Sequence, residues 1–260
     1  MRRNRLFLRA MGVLAAALAL AFTGAVQADD HDEPLRVLMI TGGGWHDFEA
    51  QKDILSEGIS ERANVEFTID HEAGNDPEAR ISRHEDTAWA EEGFDAVLYN
   101  MSFSIEDNEW VYRIVDAHVE HQIPAVFIHG ATHSFRHSNP ERWFEFMGIR
   151  SMRHQSHMPF TVEALDEDHP VMTDFETPWD TPQGELYEIE EVYPTATPLA
   201  ESYGEDSEEY HVNIWVNEYE GVRVFGTTIG HHNETMETDN FLNLVTSGLL
   251  WAVDELDGAE

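Results

Sequence analysis

The chain has 260 residues, with 51 acidic against 15 basic side chains and a formal charge of −36. It has no cysteine, which excludes disulfides, thiolate catalysis and cysteine-based zinc sites. Lysine occurs once, at Lys52, and no basic patch stands ready to neutralise phosphates, so nucleic acid is excluded as a partner.

Residues 1–28 read as a secretory signal. MRRNRLFLRA is basic, residues 11–25 are apolar, and Val26 and Ala28 supply the small residues of a cleavage site. The apolar run is 15 residues long, short of the roughly 20 that a spanning helix needs. The expected location is periplasmic or extracellular, with no membrane span left once the signal is removed. That segment holds four of the arginines and no acid, so the mature chain would stand at −40. Self-repulsion at such a charge works against a compact fold. Acids spread along the whole chain, with lysine almost absent, favour a halophilic protein, since screening at 1 M salt acts within ~3 Å. The other reading is an acidic surface for a basic or cation-rich partner. Residues 29–34, DDHDEP, form an acidic leader, and 35–256 read as a single domain.

LRVLMI (35–40) is a continuous apolar run, the pattern of a strand buried on both faces. It leads into TGGGWHD, and a helix follows over 47–62 with Phe48, Leu55 and Ile59 on one side. VEFTID (65–70) is a second strand, and 83–91 a short helix in a polar stretch. FDAVLYN (94–100) is a third strand, 106–121 a helix, and IPAVFIH (123–129) a fourth strand. This alternation predicts an α/β fold with a doubly wound, mostly parallel sheet and helices on both faces. Residues 130–148 read as a loop and a short helix, and 158–165 as a strand outside the parallel set. Proline-rich connections surround them. A hairpin pairs 211–216 with 222–228 across NEYEG, and a C-terminal helix turns Phe241, Leu242, Val245 and Leu249 inward.

Ligands of open parallel sheets bind beyond the carboxyl ends of the strands. The residues expected there are Gly43, Gly44, His46, Asn100, His129, His133 and His231. The GGG run either lets backbone N–H groups reach a polar ligand or makes a tight strand-to-helix turn. It is neither a dinucleotide fingerprint nor a Walker loop. HGATH places His129 and His133 four apart, one face of a helix, a spacing that suits a divalent metal such as zinc, with His231 or His46 closing the shell. Otherwise His129 is a bonded core residue and His133 faces water. His231 is the expected general acid/base, because imidazole titrates near neutrality. Glu185 is the second catalytic candidate, reaching the pocket from a crossing loop unless it is simply solvated.

Read in order, VLMITGGGWHD, VFIHGATHSF, WFEFMG with His154 downstream, DEDHPVMTDF, GELYEI and VRVFGTTIGHHNE with FLNLVTSGLLWAV resemble the ThuA-like (trehalose-utilisation) family over 35–255. One departure is Gly184, where members of that family usually carry an aspartate. The resemblance implies a flavodoxin-like sheet related to class I glutamine amidotransferases. It also implies a role in the catabolism of trehalose, related disaccharides or keto-sugars, with a small-molecule sugar as substrate. Trp45, Trp143 and Trp179 then become candidates for stacking on sugar rings. The resemblance sets His231 and Glu234 near the late histidine and glutamate of the amidotransferases. Their nucleophile turn would fall at IHGAT, which has no cysteine, so a cysteine-dependent amidotransferase is ruled out. Three functions stay open: a hydrolase, lyase or isomerase acting on (keto-)sugars, a non-catalytic sugar-binding or accessory module, and a purely structural partner of an envelope complex.

Overall fold

In the computed structural model, which describes residues 33–72 and 76–256, the chain runs β1 (Leu35–Gly43), α1 (Phe48–Ser60), β2 (Val65–Glu72), β3 (Ala96–Ser102), α2 (Asn108–His121) and β4 (Ala125–Ile128). It continues through α3 (Glu141–Met147), β5 (Ile149–His154), β6 (Thr161–Ala164), β7 (Trp179–Asp180), β8 (Tyr187–Val192) and β9 (Ala196–Gly204). It closes with β10 (Glu209–Tyr219), β11 (Val222–Thr227), α4 (Asn233–Met236) and α5 (Asp239–Ala252). The signal expected over 1–28, and the leader apart from Glu33 and Pro34, lie outside the described residues.

One sheet has the order β2-β1-β3-β4-β11-β10-β9-β6-β7. Its first five strands are parallel, and the pairings beyond β11 are antiparallel. β5 and β8 pair apart from it, antiparallel. The inner strand β1 shows why both faces need cover. Leu38 and Ile40 enter a core that includes Trp110 and Ile114 of α2 and Phe144 and Phe146 of α3. Val37 and Met39 enter a second core with Leu55 and Ile59 of α1 and Phe241, Val245 and Leu249 of α5. Side chains alternate across a strand, so burial on both faces demands an unbroken apolar run. Each such side chain contributes about 1.5–3 kcal/mol on burial. Asp47, Asp107 and Thr238 cap α1, α2 and α5, each accepting a hydrogen bond from a first-turn N–H.

Three departures from the expected elements bear on the site. β1 and β3 run on past their apolar runs, to Gly43 and Ser102. At Gly42 and Gly43, with φ of 123° and 94°, a Cβ would lie 2.3 Å from the Glu72 carbonyl oxygen and 2.1 Å from that of Ser102. These glycines therefore serve close strand packing. The proline-rich stretches expected to be connections hold β7, β8 and the start of β9, and β5 forms in a stretch to which no element was assigned. Pro198 sits inside β9 and has no N–H for a ladder, which masks the strand in the sequence. The short helix expected over 83–91 is two single 3-10 turns, Ser82–His84 and Ala88–Glu91. The hairpin is present, and β11 continues it into the parallel set beside β4. That pairing brings the residues after β11 to the edge where β4 ends.

Candidate functional site

Three strand ends and one loop converge. After β1 the chain turns at Trp45 and presents His46. β4 ends in a 3-10 turn, His129–His133, and β11 leads to His231, while Glu185 precedes β8. Glu185 Oε2 lies 3.1 Å from His129 Nε2 and 3.0 Å from His231 Nδ1, and the two nitrogens are 3.2 Å apart. The His46 ring centre is 5.0 Å from that of His129 and 4.7 Å from that of His231. Gly130 permits this approach, since a Cβ there would lie 3.0 Å from His46 Cε1.

The proton positions follow from the backbone partners. His129 Nδ1–H donates to the Thr228 carbonyl at 2.6 Å, and His46 Nδ1–H to the Gly44 carbonyl at 3.0 Å. In the neutral rings each Nε2 is then a lone pair. That of His46 is buried without a hydrogen-bond partner, and that of His129 faces a carboxylate oxygen. Two acceptors at such a distance repel unless a proton or a cation lies between them. Burial alone would raise the Glu185 carboxyl, but imidazole N–H donors around it outweigh burial and hold the group well below the usual carboxylate range. Burial lowers His46 to about 3, with His129 and His231 adding to it. Burial also lowers His129, against its contact with Glu185. Ionised carboxylate beside neutral imidazole is the protonation state that metal ligands require.

The cluster lies at a cavity of 290 Å³, walled by Trp45, Ser102, Phe103, His133, Arg136 and Tyr187. A shallower depression of 650 Å³ adjoins it across Trp45 and His231 and reaches His232 and Glu234. Trp45, His129 and Phe135 hold φ of 72°, 38° and 63°. Each such conformation costs on the order of 1–3 kcal/mol in a non-glycine residue, and strain of this kind gathers at functional sites.

His46, His129, Glu185 and His231 thus come together, and their donor atoms lie within 4.8 Å of one another. His133, expected as a metal ligand beside His129, does not join them. HGATH is a 3-10 turn, in which positions three apart eclipse and the fourth falls away. His133 stacks on Tyr187, its Nδ1 accepts from Arg136 at 2.6 Å and its Nε2 lies 2.8 Å from Ser151 Oγ, so it offers the cavity only a ring. Gly43, Gly44 and Asn100 are not among the residues lining the cavity. Asn100 lies within β3, and Ser102 reaches the wall instead. Asn100 donates to the Gln51 side chain at 3.4 Å, and Gln51 donates to the His231 carbonyl at 3.1 Å. Glu234 is exposed, and the carboxylate on His231 is Glu185. Trp143 is fully buried and Trp179 packs on Phe175, whereas Trp45 stands at the cavity, 64% exposed.

Sequence reasoning passed over His154 and His157. His154 ends β5 and His157 follows it, and they meet the other oxygen of Glu185, Oε1, at 2.9 and 2.8 Å. RHQSH carried the signal, but it lies off the parallel strand ends. The departure at Gly184 also has a cause: a Cβ there would lie 2.4 Å from the Phe160 ring, which leaves no room for an aspartate.

No curated protein matches the sequence. Among solved structures, the chain is similar to a ThuA-like protein from Parabacteroides merdae, with a TM-score of 0.66 and 19% identity over 86% of this chain and 92% of that one. A ThuA-like protein from Bacteroides uniformis gives 0.64 and 13%, over 90% and 98%. The glutaminase domain of Trypanosoma brucei CTPS gives 0.50 and 13%, over 85% and 95%. At these identities the likeness carries the fold: an α/β architecture with a mostly parallel sheet, shared with glutaminase-type amidotransferases. The family profile described as ThuA, trehalose utilisation, matches residues 36–252, and the chain belongs to that family.

Proposed function

We propose that this protein is an exported, metal-dependent enzyme acting on a sugar or keto-sugar. The observation that carries the reading is the buried carboxylate of Glu185 set against imidazole lone pairs at a cavity. His46 Nε2, His129 Nε2 and Glu185 Oε2 would hold a divalent ion such as zinc. Two histidines and a carboxylate leave a position open for substrate. The 3.1 Å between His129 Nε2 and Glu185 Oε2 is close to the roughly 3.3 Å between two ligands each about 2.0–2.1 Å from a tetrahedral ion. When bound, the ion polarises a carbonyl or activates water.

His231 is the general acid/base of this reading. Its Nδ1–H donates to Glu185, which fixes the ring and leaves Nε2 to accept a proton. It keeps 12% exposure and lines the cavity. With a glycoside carrying a keto group, the proton next to the carbonyl passes to His231 Nε2. The electron pair moves onto the carbonyl oxygen and returns as the glycosidic oxygen leaves the β-carbon. His231 then hands its proton to that oxygen. Trp45 offers a face for a sugar ring. Glu185 is the one acid in the cavity wall among the described residues, so a paired-carboxylate glycosidase lacks its second group. Export rests on the basic, apolar and small-residue pattern of 1–28, and among the described residues no helix is long and apolar enough to cross a membrane. The charge of −36 supports a halophilic protein, whose melting temperature rises between dilute and molar sodium chloride.

The test offers zinc-loaded protein a 3-keto-disaccharide and its unoxidised parent. Turnover of the keto form is expected, together with its loss in His231→Ala while zinc is retained. Unchanged turnover in that variant would remove His231 from the chemistry. Binding without turnover would favour the sugar-binding module.

A further inference from the structure

The second oxygen of Glu185 is as fully engaged as the first. His154 Nδ1 lies 2.9 Å and His157 Nε2 2.8 Å from Oε1. With His129 and His231 on Oε2, four imidazoles converge on one carboxylate that is 6% exposed. Four imidazoles set on both oxygens of one buried carboxylate form a ligand set with room for more than one cation.

We propose that His154, His157 and Glu185 Oε1 hold a second divalent cation, so that Glu185 bridges two ions. This rests on the reading that the first ion sits on Oε2. Backbone pairing fixes the geometry on both sides of the bridge. Gln155 N–H donates to the Leu186 carbonyl at 2.8 Å, and Met158 N–H to the Gly184 carbonyl at 3.0 Å. The segment bearing both histidines is thereby tied to the residues flanking Glu185. The Gln155 side chain adds an anchor, donating to Ser207 Oγ at 2.7 Å and accepting from Asp206 N–H at 3.2 Å. A site held on such supports is preorganised.

The two rings are 43% and 48% exposed and line the same cavity, so positions on the second ion stay open to water or substrate. His154 Nδ1–H is shared between Oε1 and the Gln155 carbonyl, 2.9 Å away. The ion takes the place of that proton, which moves to Nε2 in the other tautomer of the neutral ring. Paired ions about 3.5–4 Å apart grip two oxygens of one substrate. The substrate class narrows accordingly to sugars that present adjacent oxygen donors, such as a keto group beside a hydroxyl.

Manganese titration of EDTA-stripped protein tests this, with bound metal counted by elemental analysis after a salt wash that clears the acidic surface. Electron paramagnetic resonance then reads whether the ions are coupled. The wild type is expected to hold two ions with an exchange-coupled signal. His154→Ala/His157→Ala, in half-exposed positions, is expected to stay folded by circular dichroism and to hold one uncoupled ion. A single ion in the wild type, or two coupled ions in the double variant, would overturn the second site and leave the first standing. No bound ion in the wild type would remove both.

Discussion

His118 and His129 are both fully buried, and both anchor Nδ1 on a backbone carbonyl, that of Ile123 at 2.7 Å and that of Thr228 at 2.6 Å. They diverge at the second nitrogen. His118 Nε2 meets the Tyr99 hydroxyl at 2.8 Å, which has a proton to give. His129 Nε2 meets the Glu185 carboxylate at 3.1 Å, which has none. The first ring is packed between Trp89 and Phe146 and belongs to the core. The second lies against the cavity cluster. What separates a structural histidine from a working one here is the group opposite its free nitrogen, since burial and the backbone bond are the same.

Replacing the group opposite each ring should break that comparison. Glu185→Gln removes the charge facing His129, and zinc affinity is expected to fall about 100-fold or more, because even outer-shell partners of metal ligands are worth about 10–100-fold. His118→Phe should leave zinc affinity unchanged within error. Calorimetric titration of both variants checks the pair, and equal losses would erase the distinction. His231→Ala should lower kcat by roughly 10²–10⁴, the range for a general base, with zinc still bound.

Smaller effects sharpen the structural half. Tyr99→Phe takes the donor from His118 Nε2, and an unsatisfied buried nitrogen costs about 1–3 kcal/mol. Thermal denaturation should show the loss, with metal binding intact. Burial lowers His118 to about 4, against the Ile123 contact, and lowers His84 to about 3, with His118 and Arg83 adding to it. Their unfolded value is about 6.5, so below that pH the unfolded chain binds protons that the folded chain refuses. Stability from these two rings is fully present above pH 6.5 and is lost as pH falls toward 4, by about 1 kcal/mol per unit for each ring. His118→Phe should flatten that slope by one ring's share. An unchanged slope would mean that His118 is already protonated in the fold.

The parallel half of the sheet was legible in the sequence, and all four central residues were singled out there. His46, His129 and His231 follow apolar runs, and such runs end at the rim where parallel sheets bind ligands. Two kinds of residue misled. Gly43 was placed beyond a strand that in fact continues through it, because glycine reads as loop although it pairs in the ladder, and Asn100 was taken as the end of a strand that runs on to Ser102. His133 stood at helical spacing in a segment too short to form an α-helix. Glu185 was picked out as a loop carboxylate, but its second pair of imidazoles was not. His154 and His157 reach it only through the β5–β8 pairing, a contact that no local pattern carries.

The most direct measurement is diffraction at the zinc absorption edge from crystals of the metal-loaded protein. An anomalous peak is expected about 2.0–2.1 Å from both His46 Nε2 and His129 Nε2, with Glu185 Oε2 in the same shell. Peaks confined to the acidic surface, with His129 Nε2 still facing Glu185 across an empty gap, would contradict the metal-centred reading.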